Sequence, residues 1–399
     1  MKLHNLIFSL SAFTCLLNPS TVLSLENTRG FIEYQSKTLS NTDGAERLGS
    51  DWSSETLQQI YGQAGFDFTV LENKIQFETF FRQTKSALLE ETDGVLTNQF
   101  FPQQIVARDV FKMQHTKTNN DLKNDIIVHR MTYSWGDDEV AFTAGRMFIQ
   151  YGEGHTINPI NPFNHSANQS NVYGISQAND GVRIILKKDT NLKLHLYFLG
   201  DKSFTDYDEE ITRTVFLRGD WKKSNQTHIN YTLGEDQKRH KYGVEIKHSF
   251  GKGIGFLQLV RFSQQIDKQE ANSEGLFHSL AGYELDLTPI WTIRLELGKF
   301  QKDKINPIAG QTNYLPFESF IALNNLFRLN DKITTELNLV NDTSSKALFY
   351  KLSNSYSLNN YSEVRVFASG LSSEPNDDSD YISQNFIPAE LGLALRSKF

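Results

Sequence analysis

Cysteine is almost missing from this chain. Of its 399 residues only Cys15 is a cysteine, and it lies in an apolar stretch, residues 6–17, that follows the basic Lys2. Val22-Leu23-Ser24 supplies small residues at the cleavage positions, so residues 1–24 read as a secretory signal peptide. The stretch is too short and too early for a spanning anchor. A mature chain of residues 25–399 then has no thiol, which excludes disulfides, cysteine chemistry and a cysteine-ligated zinc. Long apolar runs are absent as well. Nothing later in the chain approaches the roughly 18 consecutive apolar residues of a spanning helix. Positive charge is not in excess: the net charge is −7 and the pI near 5.8, which argues against nucleic acid as a partner. Catalytic signatures are lacking too. Gly174-Ile175-Ser176-Gln177-Ala178 misses the final glycine of a nucleophile elbow. His155, beside Glu153, has no second histidine at ligand spacing. No enzyme, metal or cofactor is expected.

Aromatic residues, by contrast, are plentiful. There are 29 Phe and 15 Tyr in a chain whose mean hydropathy is only −0.44. An antiparallel transmembrane β-barrel reconciles the two, because only every second residue meets lipid and aromatics gather at the two interfaces. The pattern along the chain agrees. Ribbons of period two flank turn residues in eight tight hairpins, at residues 58–71/74–84, 126–135/139–148, 181–187/192–199, 212–222/227–233, 241–249/253–262, 277–286/292–300, 320–329/334–340 and 347–356/361–369. Asn, Asp, Gly and Pro occupy the turns, as tight turns select. Mostly longer polar connections run between the pairs: residues 151–180, 200–211, 263–276, 301–316 and 370–388. Alternation of short and long connections gives short periplasmic turns and long extracellular loops. With residues 30–38 first and 390–399 last, the sum is about 18 strands if residues 105–114 are loop. An extra pair within residues 86–124 would make twenty. The whole of residues 25–399 forms one barrel domain on this reading.

Parity assigns the faces. Val182, Ile184 and Leu186, then Leu192, Leu194 and Leu196, then Leu348, Tyr350 and Leu352 point outward. Their partners include Arg183, Lys193, His195, Arg218, Lys247, Glu284, Arg294, Glu296 and Glu336. So many ions could not face a dry core, since each unpaired one costs several kcal/mol to desolvate. They therefore face water in a lumen. Residues 183–247 contribute mainly basic inward groups and residues 284–336 mainly acidic ones, which predicts a field across the pore. The face of residues 253–262 is ambiguous.

The chain ends Glu390-Leu391-Gly392-Leu393-Ala394-Leu395-Arg396-Ser397-Lys398-Phe399. Leu391, Leu393, Leu395 and Phe399 share one parity. This segment resembles the final strand of bacterial outer-membrane barrels, where the terminal Phe and alternating apolar residues are read by the barrel-assembly machinery. A second stretch resembles a signature of porin-like outer-membrane proteins of Gram-negative bacteria: Gly145-Arg146, then Gly152-Glu153-Gly154, then Asn158-Pro159 and Asn161-Pro162. Met147, Tyr151 and Asn161 replace the Gln, Trp and Asp of that pattern. Barrel phospholipases are matched only in outline by His165-Ser166-Ala167-Asn168.

The resemblance implies location in the bacterial outer membrane, with its lipid and lipopolysaccharide as surroundings. It also implies a porin passing small polar solutes through a charged lumen. A substrate-selective transporter or exporter, or a non-conducting structural or adhesive barrel, is the alternative. Candidate pore-lining or constriction residues are Arg146, Tyr151, Glu153, Asn158, Asn161, Arg183, Lys193, Arg218, Glu284 and Glu296. The apolar parity of Val140, Phe142 and Ala144 would aim Arg146 at lipid, so a β-bulge at Gly145 is expected to turn it inward. The connection at residues 151–180 carries no Lys or Arg and suits a loop folded into the pore.

Overall fold

The structure, a computed structural model, describes residues 24–40, 54–70, 73–86, 114–119, 121–149, 151–156, 158–161, 178–187, 190–204, 209–236, 239–263, 276–301, 319–343, 348–372 and 389–399. Residues 1–23 of the expected signal peptide, residues 105–113 and the His165-Ser166 segment lie outside the described residues.

The strands in chain order are β1 (Ser24–Ser40), β2 (Ser54–Val70), β3 (Asn73–Lys85), β4 (Gln114–Asn119), β5 (Leu122–Gly136), β6 (Val140–Phe148), β7 (Ala178–Lys187), β8 (Leu192–Phe204), β9 (Glu209–Lys222) and β10 (Thr227–Asp236). They continue with β11 (Arg239–Phe250), β12 (Gly253–Ser263), β13 (Leu276–Thr288), β14 (Trp291–Phe300), β15 (Ser319–Arg328), β16 (Ile333–Asp342), β17 (Leu348–Ser357), β18 (Ser362–Ser372) and β19 (Ala389–Lys398). Each pairs antiparallel with the next, except that β3 pairs with β5, and β1 pairs with both β2 and β19, so the sheet closes. Eighteen of the strands form the ring. β4 stands outside the count: it pairs with residues 122–127 of β5, on the edge that residues 131–136 of β5 offer to β6. A twenty-strand ring is thereby excluded.

All eight expected hairpins are present. Side-chain acceptors shape their turns: Asp137 Oδ1 takes the N–H groups of Glu139 and Val140 at 2.8 and 2.7 Å. Those N–H groups, Val140 foremost, hold the Asp137 carboxyl below the usual range. Asn330 and Asn359 make the same local turn at the β15–β16 and β17–β18 connections. One connection is much shorter than expected. Residues 201–204 and 209–211, read from sequence as part of a polar connection, extend β8 and β9 with Asp201 opposite Thr212 and Phe204 opposite Glu209.

The outer face is apolar around the ring, with Ile32, Tyr133, Phe198, Val244, Leu295, Leu352, Val366 and Leu393 among its exposed side chains. β12 resolves the ambiguous strand. Leu257 and Leu259 are exposed, while Phe256, Gln258, Val260 and Phe262 are buried inside. Inward charges are paired across strands: Arg82 with Asp125 at 2.6 Å, His129 with Glu78 at 3.2 Å, Lys37 with Glu390 at 2.6 Å.

The seam between first and last strands is tight. Gly30 and Phe399 exchange both backbone hydrogen bonds at 3.0 Å, and Arg396 pairs with Glu33 inside. A Cβ on Gly30 would stand 2.5 Å from the Phe399 ring and 2.6 Å from the Gln63 carbonyl oxygen. Gly30→Val is therefore expected to cost about 1–3 kcal/mol, as overpacking typically does. Urea titration of the refolded barrel, followed by its heat-dependent gel mobility, reads that loss; an unchanged midpoint would refute the packing described.

Candidate pore constriction

The candidate site begins where β6 leaves the wall. Before Gly145 the inward positions are odd-numbered: the Thr143 hydroxyl lies 3.1 Å from that of Ser134 and accepts from Arg183 at 3.2 Å. After it the strict alternation breaks, with Met147 buried among Tyr197, Leu199 and Phe216. The Phe148 ring meets His129 edge-on at 4.0 Å, and the Arg130 guanidinium lies 4.6 Å from the Phe148 centroid. Gly145 makes the change, with φ at +114° and no room for a Cβ beside the Met131 carbonyl oxygen. The expected bulge is absent there. Gly145 pairs with Thr132 and with Gly181, and Arg146 with Met131 and Asp180, all in step. The register shift lies instead in the β3–β5 ladder, at His129.

Arg146 is fully enclosed, with 0% of its side chain exposed. Its Nε and Nη2 grip the two Asp180 oxygens at 2.8 and 2.9 Å, and Nη1 donates to the Val128 carbonyl at 3.0 Å. The last contact matters because Val128 sits between the parts of the β5 edge paired to β4 and to β6. The guanidinium thus ties β5, β6 and β7 together where the backbone ladder lapses.

Beyond β6, residues 151–161 cross the lumen. Asn158 Nδ2 donates to the Tyr151 carbonyl at 2.5 Å and Asn161 Nδ2 to that of Ile149 at 3.3 Å, which folds the segment on itself. The Tyr151 ring lies under the Arg218 guanidinium of β9, 4.1 Å from the centroid. Ile160 is buried beside Phe216, Val260 and Phe262. Further on, the backbone is held by wall carboxylates. Glu245 of β11 takes the Glu153 N–H at 2.8 Å, while Asn230 and Gln258 satisfy it from the sides. Glu296 of β14 takes the N–H groups of His155 and Thr156, one per oxygen, at 2.6 and 2.8 Å. Arg294 donates to the Glu153 carbonyl, and Lys247 reaches the Glu153 carboxylate at 2.6 Å. His155 Nε2 comes within 3.4 Å of Asn324 Nδ2 on β15. β15 is nine strands from β6 around the ring of eighteen, so the segment spans the full width. Burial there depresses the His155 imidazole, against the opposing pull of the Glu296 charge.

The ten residues singled out from sequence therefore divide. Arg146, Tyr151, Asn158, Asn161 and Glu296 are buried and hold the segment or the wall. Glu153 and Glu284 keep 34% and 38% of their side chains exposed, Arg183 and Arg218 are half-buried, and Lys193 is exposed. Arg218 is paired with Asp220 at 2.6 Å, and Arg294 bridges Glu284 and Glu296 at 2.9 and 3.1 Å. Sequence reasoning missed the partners: Asp180 for Arg146, Asn324 for His155, and the anchoring use of Glu245 and Glu296. Only the glycine pair Gly145 and Gly181 hinted at the first.

The fold has solved counterparts. A BenF-like porin from Pseudomonas fluorescens Pf-5 superposes with a TM-score of 0.57 at 10% identity, over 94% of this chain and 99% of that one. OccK5 (OpdH) of Pseudomonas aeruginosa gives 0.56 at 10%, over 94% and 98%. OccAB3 of Acinetobacter baumannii gives 0.55 at 8%, over 94% and 99%. At these identities the likeness is one of fold. No protein-family model matches the chain, and no curated protein matches it in sequence.

Proposed function

We propose that the chain is an outer-membrane porin that passes small polar solutes through a charged lumen narrowed by residues 151–161. The observation that carries this reading is the crossing segment itself. A barrel that served only as a structural or adhesive wall would not need a strap latched five and eight strands away, on β11 and β14, by three carboxylate-bound N–H groups. The apolar outer face, the inward ions and the likeness to a porin of the same strand arrangement support it.

Solute meets two unlike walls on this reading. Arg183, Lys187, Lys193, Arg218, Lys222 and Lys247 face inward from β7 to β11, against Asp220 and the enclosed Glu245. Glu284, Asp286 and Glu336 face them from β13 to β16. Fixed charges in a low-dielectric wall focus the field, so a polar solute is oriented as it passes. Glu296 and Glu245 are engaged by loop N–H groups and so do not themselves meet solute. Cleavage after Ser24 would remove only the first residue of β1, and Leu391, Leu393, Leu395 and Phe399 would serve the assembly machinery.

Planar-bilayer recording of the refolded residues 25–399 tests the proposal. Steady open steps that no particular solute blocks are expected. Absence of conductance would overturn the porin reading, and block by one solute class would replace it with a dedicated transporter. A chain lacking Phe399 should insert less in cells while its purified form conducts normally.

A further inference from the structure

Among the described residues, two cations without an acidic partner stand on the outer face of the barrel. Arg261 follows Leu257 and Leu259 on the outward parity of β12, and Lys299 follows Ile293, Leu295 and Leu297 on that of β14; both side chains are exposed. Between them on β13 lies Ser279, directly opposite Lys299 and diagonal to Arg261. Cross-strand neighbours sit about 5 Å apart and diagonal ones about 7–8 Å, so the three groups can share one ligand. Ser319 of β15, opposite Lys299 on the other side, adds a second hydroxyl.

The depth of this cluster is informative. Lys299 is eight residues from Trp291, and Arg261 eight from Gly253, at the periplasmic ends of their strands. Eight residues of tilted strand rise roughly 20 Å along the membrane normal, which is near the far edge of an apolar band about 25 Å tall. Exposed aromatics mark that level: Tyr242 and Phe277 flank Arg261 directly on the two adjoining strands. Among the described residues neither cation has an acidic partner. Lys85, outward on the far side of the ring, is instead met by Asp121 at 3.7 Å.

We propose that Arg261, Ser279 and Lys299 form a binding site for the phosphate of a phosphorylated lipid headgroup in the outer leaflet. A guanidinium presents a planar donor fork suited to phosphate oxygens, and the lysine supplies a second positive charge. The flanking Tyr242 and Phe277 rings, with Leu259 and Leu297 below, would pack against the acyl chains. This site rests on the barrel spanning a membrane but not on its conducting.

Native mass spectrometry of the full mature chain, purified in detergent and supplied with bis-phosphorylated lipid A, tests it. Wild type should retain a bound lipid A that R261Q/K299Q loses, while Lys85→Gln keeps it and a dephosphorylated lipid A is not retained. R261K should recover part of the binding lost in R261Q. Heat-dependent gel mobility confirms that each variant is folded. Equal retention by wild type and the double variant, loss in Lys85→Gln as well, or equal retention of the dephosphorylated lipid would each overturn the site. Displacement by millimolar inorganic phosphate alone would overturn the lipid as its ligand.

Discussion

Replacing Glu245 and Glu296 together by alanine is expected to raise the unit conductance of the refolded barrel severalfold. These two carboxylates accept from three consecutive-region N–H groups of the crossing segment, at 2.6–2.8 Å. Hydrogen bonds to an ionised group contribute about 1.5–3 kcal/mol each. Their loss outweighs what remains at that end of the strap, the Arg294 and Lys247 contacts to Glu153. The near end stays fixed through Tyr151 under Arg218 and the Asn158 and Asn161 side chains. The segment should therefore swing out of the pore without unfolding. Glu296→Gln keeps one acceptor oxygen and should give a smaller rise. Glu284→Ala separates the latch from simple charge removal. It takes an exposed acid off the same wall without touching the loop, and should alter ion selectivity more than conductance. Deleting residues 159–170 should mimic the double alanine. Bilayer recording of all four variants decides the matter, and a double alanine indistinguishable from wild type would refute the latch.

The second large effect falls on stability. Arg146→Ala would leave the enclosed Asp180 carboxyl without the two Arg146 donors. Breaking a buried pair from one side costs about 3–5 kcal/mol. The Val128 carbonyl would lose its donor too, at the point where the β5 edge has no ladder partner among the described residues. We expect a sharply lowered urea midpoint and poor refolding. Arg146→Lys should fall between, since an ammonium cannot reproduce the two-pronged contact. R146M/D180L should recover much of the loss, because replacing a buried pair by apolar groups is often neutral. If Arg146→Ala refolds with the wild-type midpoint, the guanidinium is not the tie described here.

The barrel was legible in the sequence because its rule is local. Alternating parity needs only neighbouring residues, so Leu192, Leu194 and Leu196 or Ile293, Leu295 and Leu297 declare their face unaided. Parity missed the ends of β8 and β9, at residues 201–204 and 209–211, and failed at Gly145, where a positive φ interrupts the alternation. The site was less legible for a different reason. Glu296 reads as an inward charge whatever it does, and its bond to the N–H groups of His155 and Thr156 joins residues 140 positions apart. No pattern within β14 distinguishes an acid that meets solute from one that holds a loop. The same holds for Arg146, whose partner Asp180 lies at the other end of the connection.

The central claim is a solute-conducting lumen crossed by residues 151–161, and one cysteine tests it directly. A chain of residues 25–399 has no thiol of its own, and the Glu153 side chain is partly exposed at mid-crossing. In Glu153→Cys, single-channel conductance should fall steeply when a bulky cationic thiosulfonate reagent is added and return on reduction. A conductance that the reagent leaves unchanged would contradict the account.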